Sequence, residues 1–316
     1  MASAISVKEV AEQLAEFLSR YGKNSQGLII TGAGFSTSSG IPDYRGANGI
    51  YNKNKDYKPI TYQEFAGSKE RRRKYWARSF LGWPQISRAM PNVGHLAVAR
   101  LEQAGYISSL ITQNVDSLHR YNKRVIELHG TLSRVSCVSC GHYIPRADFQ
   151  SLLSEMNPTW TDIQTSKGAD VSSSDTSALT VNPDGDVEVL DFSDFKYPDC
   201  HTCRSIYKPE VVFFGENLPI SRKLQASEWV KEASAVVCMG TSLTTFSAFR
   251  LAKESIERKI PLAIVNLGPT RGDALASLRL EGRSEEVMPE VVRLLVGEDV
   301  GKEVKDHNHQ HYASQQ

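Results

Sequence analysis

The sequence predicts an α/β protein in which one large domain, built on parallel strands, carries a smaller inserted module. Three observations point there. Short apolar runs rich in β-branched residues recur at 28–31, 107–111, 125–128, 235–240 and 262–265, as buried parallel strands do. Each run stops at glycine or polar residues, and helical spacing fills gaps between them. The rhythm breaks across 131–207, which holds two C-x-x-C pairs.

The chain opens with an amphipathic helix whose buried face is Val7, Val10, Leu14, Phe17 and Leu18. Three glutamates precede its first arginine, so no Arg-rich import signal is visible. The first strand breaks at Gly32-Ala33-Gly34, where missing Cβ atoms let backbone approach a ligand and take torsions other residues avoid. Ser36, Thr37, Ser38 and Ser39 can cap a helix start that presents amides to a pyrophosphate. The next glycine is Gly40, so the G-x-G-x-x-G spacing is not met and a plain tight turn stays open. Ile41, Pro42, Asp43, Tyr44, Arg45 and Gly46 then put a carboxylate, an aromatic and a guanidinium on one loop, a mixture no structural turn needs.

Residues 48–73 read as a mobile loop followed by helix, with 71–74 a solvated basic face. Tyr75 and Arg78, three apart, share a helix face. They could hold a carboxylate, or the arginine could simply meet solvent. A helix over 95–104 should bury Leu96, Ala99, Leu101 and Ala104. The following strand ends in Thr112, Gln113, Asn114, Val115 and Asp116, and the next at His129. Polar groups at three parallel strand ends converge on the crevice where such sheets bind ligands.

Cys137, Cys140, Cys200 and Cys203 supply a closed four-thiolate set for Zn²⁺. The 59 residues between Cys140 and Cys200 exceed the usual gap of about 15–20. A Ser/Thr/Asp-rich stretch near 164–179, expected to be disordered, accounts for the excess. Neither pair follows a clear strand in a βαβ unit, which disfavours a redox role. Cys238 reads as a buried strand residue. A strand from 208 leads into a loop by 216. Later strands end in Gly240-Thr241-Ser242 and Asn266-Leu267-Gly268, and 287–296 is the last helix. The tail from 301 is polar, and its His307, His309 and His311 carry no assigned role.

At 40% hydrophobic, 23% charged and a net charge of +1, no global field argues for nucleic acid or membrane. No apolar run approaches the roughly 20 residues a spanning helix needs. The cysteine module lacks a dense basic and aromatic face, so no nucleic-acid binding is expected.

GAGFSTSSGIPDYRG, TQNVDSLH, ELHG, the paired C-x-x-C motifs, KPEVVFFGE, GTSL and NLG occur in the order seen in the sirtuins, and the chain resembles that family from about 26 to 295. PDYRG, YWARSFLGWPQ, NPTW, PDGDV and NLGPTRGD are similar to its class II branch. The insert near 164–179 has no counterpart, and Ser284 stands where animal relatives often carry cysteine. The resemblance implies a Rossmann-like large domain formed by 1–48, 86–134 and 208–300. It also implies a cofactor loop and helical module at 49–85, a zinc ribbon at 135–207 and a flexible tail at 301–316.

The resemblance further implies an NAD-dependent protein-lysine deacylase that consumes NAD, moves the acyl group to ADP-ribose and holds one structural zinc. Gly32, Ala33 and Gly34 would meet the pyrophosphate, with Arg45 supplying charge. Gln113, Asn114 and Asp116 would hold the nicotinamide end, with Asp43 nearby. Gly240, Thr241 and Ser242 would take phosphate and ribose, and Asn266 the adenine ribose. Ser36, Thr37, Ile41, Tyr44, Val115, Leu267, Gly268 and Ser284 complete the expected cofactor set. Catalysis would fall to His129 as general base, with Asn114 and Asp116. An acyl-lysine protein would dock as an extended strand between Val211 and Glu216. Tyr75 and Arg78 are spaced like the pair by which another sirtuin branch reads acidic acyl groups. Rival outcomes are mono-ADP-ribosyl transfer or an idle NAD-sensing scaffold. The branch implies mitochondria, against the acidic N-terminus, with cytosol or nucleus as alternatives.

Overall fold

The computed structural model describes residues 5–22, 26–168 and 181–300. Helix α1 (Val7–Tyr21) starts at a capping box: the Ser6 hydroxyl accepts from Glu9 N–H, and the Glu9 carboxylate accepts from Ser6 N–H. It buries Val10, Leu14, Phe17 and Leu18 as expected. Val7, at the first helical position, is 37% exposed instead. Next come β1 (Gly27–Thr31), α2 (Ile50–Lys53), α3 (Tyr62–Gly67), α4 (Lys69–Arg88), α5 (Val93–Gln103), β2 (Ser109–Thr112) and β3 (Val125–Glu127). A middle group holds β4 (Gly130–Cys137), β5 (Tyr143–Pro145), α6 (Arg146–Met156), α7 (Pro158–Gly168) and β6 (Tyr207–Val211). The chain closes with α8 (Ile220–Glu232), β7 (Ala235–Met239), α9 (Phe246–Glu257), β8 (Leu262–Val265), β9 (Leu278–Leu280) and α10 (Ser284–Val296).

The large sheet has the order β3-β2-β1-β7-β8-β9, with every neighbouring pair parallel. Its central strands are buried on both faces, which is why their sequences are continuous apolar runs rather than alternating ones. Ile29, Leu110 and Val237 face a core shared with α1, α5 and α10. Leu28, Ile30, Val236 and Cys238 face the opposite core under α8 and α9. From β1 the chain steps outward to β3 on one side, and from β7 outward to β9 on the other. The order therefore reverses between β1 and β7, a topological switch point.

In the smaller sheet, β5-β4-β6, the neighbours pair antiparallel. The strand expected from 208 is β6, and it pairs with β4 here rather than joining the parallel sheet. Phe65, Trp76 and Phe80 from α3 and α4 pack with Phe149, Trp160 and Phe195. The helices of 49–85 and the cysteine module thus share one aromatic core. Residues 164–168 are helical, as the end of α7, not disordered; the rest of the expected insert and the tail from 301 lie outside the described residues.

Two helical expectations need correction. Within 71–74, Arg72 is buried and donates to the Phe65 and Ala66 carbonyls, so that face is not all solvated. In α5, Ala99 and Leu101 are buried, but Leu96 is half-buried and Ala104, the C-cap residue, is exposed.

Candidate active site

The strand ends that meet at the switch point are bonded to one another. Residues 33–39 form two short 3₁₀ turns, Ala33–Phe35 and Thr37–Ser39, not an α-helix start, and neither has a side-chain cap. Ser36 instead donates to Asp116 Oδ2 at 2.7 Å and accepts from Asn114 Nδ2 at 3.0 Å. Thr37 donates to the Gly34 carbonyl at 3.0 Å. Burial pushes the Asp116 carboxyl upward, and bonds from Ser36 and the Leu118 N–H restrain the shift.

Gly32 has φ −135°, a torsion open to any residue, so the expectation of a special conformation fails there. Its need for glycine is contact: a Cβ would fall 2.6 Å from Thr241 Cβ, and one on Gly34 would fall 2.9 Å from the Gly240 carbonyl. The loop after β1 can lie against Gly240 and Thr241 only because Gly32 and Gly34 carry no side chain.

Gln113 joins three elements. Its Nε2 donates to the Thr31 carbonyl at 3.1 Å and to Thr241 Oγ1 at 2.9 Å, and its Oε1 accepts from Thr245 Oγ1 at 2.9 Å. The Gln113 carbonyl lies 3.1 Å from His129 Nδ1, and Ser247 Oγ lies 2.8 Å from His129 Nε2. A carbonyl only accepts, so Nδ1 carries the proton and Nε2 offers its lone pair to the serine hydroxyl. Burial pushes the His129 pKa down to about 4, opposed by the Gln113 carbonyl and aided by the charge of Arg222. The imidazole is neutral at pH 7, with its basic nitrogen turned to the cavity wall. Sequence reasoning missed Ser247. A serine in the first turn of a helix reads as a cap, and only the fold brings α9 to the end of β3.

Beneath this site His119 Nε2 lies 3.0 Å from Thr31 Oγ1, which lies 2.9 Å from Thr112 Oγ1, which accepts from Asn114 N–H at 3.1 Å. Burial holds the His119 pKa at about 3.

Of the expected cofactor residues, Gly32 is set back against Thr241, while the others line one cavity of about 2040 Å³. Ile41 belongs to a buried cluster with Leu132 and Val181, and Val115 packs against that cluster. Asp43 accepts from Gly46 N–H at 2.8 Å. Arg45 is exposed, its guanidinium carbon 5.0 Å from the Tyr51 ring centroid. Ser242 Oγ lies 2.9 Å from Thr244 Oγ1. Asn266 donates to the Leu267 and Gly268 carbonyls at 2.8 and 3.2 Å. Ser284 opens α10 on the same wall.

Tyr75 and Arg78 do not form a free carboxylate clamp, nor does Arg78 meet solvent. Its Nη2 contacts Asp186 at 3.0 Å and Glu188 at 2.9 Å, and its Nε donates to the Val187 carbonyl at 3.1 Å. Tyr75 packs edge-on against Phe65, Trp76 and Phe213. The segment that satisfies Arg78, bridged between Val181 and Val187, also reaches the cofactor loop. Asp184 accepts from the hydroxyls of Tyr44 and Tyr57, the latter at 3.1 Å. Burial pushes Asp186 up to about 6, with the Arg78 charge pulling the other way.

The four thiolates expected to bind metal come together where β4 ends and β6 begins. Their sulfurs all lie within 4.8 Å of one another, with Cys137 to Cys203 at 3.4 Å and Cys140 to Cys200 at 3.7 Å. A tetrahedral zinc with bonds of about 2.3 Å sets sulfurs about 3.8 Å apart, so this donor set fits Zn²⁺ and leaves no open position. Cys238 is buried in β7, outside that group.

A doubly wound α/β domain with its crevice at the switch point, joined to a four-thiolate module, defines a nucleotide-binding class of protein. The Sir2 family model matches residues 32–247, and the chain belongs to that family. A protein from Batrachochytrium dendrobatidis, "NAD-dependent protein deacylase SIR4", is 47% identical over 296 residues, covering 90% of this chain and 94% of the relative. The Drosophila melanogaster "NAD-dependent protein deacylase Sirt4" is 38% identical over 269 residues, covering 84% and 81%. A solved structure of Sir2 with a p53 peptide and NAD⁺ superposes with a TM-score of 0.65 at 27% identity, covering 89% of this chain and 97% of that one.

Proposed function

We propose that this chain is an NAD-dependent protein-lysine deacylase. The observation that carries the reading is His129: neutral, tautomerically fixed by Gln113, and on the wall of the cavity that the cofactor loop also lines. With NAD as substrate, the acyl-lysine carbonyl oxygen would bond ribose C1′ as nicotinamide leaves, a ribose hydroxyl would then attack the acyl carbon, and water would release free lysine, leaving the acyl group on ADP-ribose. His129 Nε2 takes the proton from that hydroxyl, at the position Ser247 now bonds. Asn114 and Asp116, tied through Ser36, face the nicotinamide end. Gly34, Gly240 and Thr241 present a surface low in side-chain bulk to the phosphates. The four-thiolate zinc is structural.

The acyl-lysine target lies as an extended strand along 211–216, where Phe213, Phe214 and Gly215 line the cavity and Lys208 and the Phe213 N–H hold Glu216. The family branch it resembles supports a mitochondrial location. Imaging of a C-terminally tagged chain tests this, and a purely nuclear signal would refute it. For activity, a panel of acyl-lysine peptides with NAD should release nicotinamide and free lysine. His129→Ala should lower that rate by about 10²–10⁴ while NAD affinity stays within a few-fold. Labelled ADP-ribose accumulating on protein, without free lysine, would favour mono-ADP-ribosyl transfer instead.

A further inference from the structure

The part of the cavity wall formed by α9 and the loop after β8 carries cations that pair with no carboxylate among the described residues. Phe246, next in the chain to the serine that bonds His129, is 63% exposed and lines the cavity. Arg250, one turn along α9, holds its guanidinium carbon 5.0 Å from the Phe246 ring centroid. Arg271, beyond β8, lies 5.9 Å from Phe246 and 3.9 Å from Phe249. Both arginines are exposed, and both line the cavity. Three glutamates of the same lining are already engaged. Glu216 pairs with Lys208, Glu254 with Arg258 and the Ser227 hydroxyl, and Glu285 with Arg283. The ion pairs among the described residues include neither Arg250 nor Arg271.

A guanidinium laid on a ring is partly ordered before a partner arrives, so pairing it with a carboxylate loses less side-chain freedom. Two of them flank one exposed phenyl ring, a single residue from the serine at the base. We infer that Phe246, Arg250 and Arg271 form a docking rim for target segments that carry acidic side chains within a few residues of the acyl-lysine. The position of the lysine rests on the deacylase reading, while the charge preference rests on the rim. An RNA phosphate backbone is disfavoured, because two guanidinia on a chain of net charge +1 make no basic track.

The test uses the full chain and fluorescein-labelled acetyl-lysine peptides with glutamate, alanine or lysine at the two residues on each side. Affinity is read by anisotropy, and wild type is compared with the Arg250→Gln/Arg271→Gln double variant. In wild type at low salt the glutamate peptide should bind roughly tenfold tighter than the lysine peptide, and about 0.5 M salt should shrink that ratio. The double variant should bring the ratio to within about twofold, leaving the alanine peptide and the KM for NAD unchanged. A ratio that survives in the double variant overturns the rim. So does equal weakening of all three peptides, a raised KM for NAD alone, or displacement of the glutamate peptide by single-stranded RNA only. Binding is measured without turnover. A chain that keeps the charge preference yet frees no lysine would sink the deacylase reading and leave the rim standing.

Discussion

His119 and His129 illustrate how burial sets protonation one residue at a time. His119 is held at a pKa of about 3, far below its ordinary 6.5. Between those values the unfolded chain binds a proton that the folded chain refuses. The folded state is thus fully favoured above pH 6.5 and loses stability as pH falls, by about 1.4 kcal/mol per unit. A glutamine at this position could still donate to the Thr31 hydroxyl, which gives its own proton to Thr112, without titrating. The stability difference between wild type and His119→Gln should therefore shift by about 2 kcal/mol in the variant's favour between pH 6.5 and 5, followed by urea unfolding. Asp186, pushed up to about 6, acts in the opposite direction in both proteins and cancels in the comparison. Parallel curves would show that the imidazole is not buried neutral. At this scale the convergence of His129, Asn114 and Asp116 on one cavity was legible, because polar residues past parallel strand ends gather at the same crevice. The role of Arg78 was not, since Glu188 lies 110 residues further on and nothing local announces it.

At the scale of elements, α4 and the 181–188 segment depend on each other. Gly82 lies so close to the segment that a Cβ would meet the Gly185 carbonyl at 2.4 Å, and the Arg78–Asp186 pair is almost wholly buried. Removing one partner strands the other charge, so Arg78→Met should cost about 3–5 kcal/mol in unfolding free energy. Arg78→Met with Asp186→Leu should recover much of that. If the single variant slows only acidic acyl substrates and unfolds like wild type, the arginine reads substrate after all. The zinc module is a second such unit. Cys137→Ser or Cys200→Ser should abolish zinc binding and release the β5-β4-β6 sheet, seen by metal analysis and loss of near-ultraviolet dichroism. Cys238→Ser should leave zinc content unchanged. Helices were legible here from periodicity, and parallel strands from continuous apolar runs. The destination of β6 was not, because an apolar strand sequence does not say which sheet will take it.

Two cores flank the large sheet, an aromatic core fills the small side, and a cluster of Ile41, Leu118, Leu132 and Val187 draws on both sides. The parallel sheet could be read from the sequence because its strands are buried on both faces and so are written in continuous apolar runs. The aromatic core could not, because α3, α4 and the cysteine segment meet only after the chain has left the large domain and returned. Between the two sides hangs Asp184, on a segment of the small side, gripping Tyr44 and Tyr57 of the loop that faces the co-substrate. Stripping zinc should raise amide hydrogen exchange across 43–57 as well as within the small sheet, while α1, α5 and α10 keep their protection. Exchange confined to the cysteine segment would mean the two tyrosines transmit nothing. The tether works like the string of a marionette: where the small side goes, the loop must follow. A metal that never touches the reacting bond would then ration how often the cleft can reload.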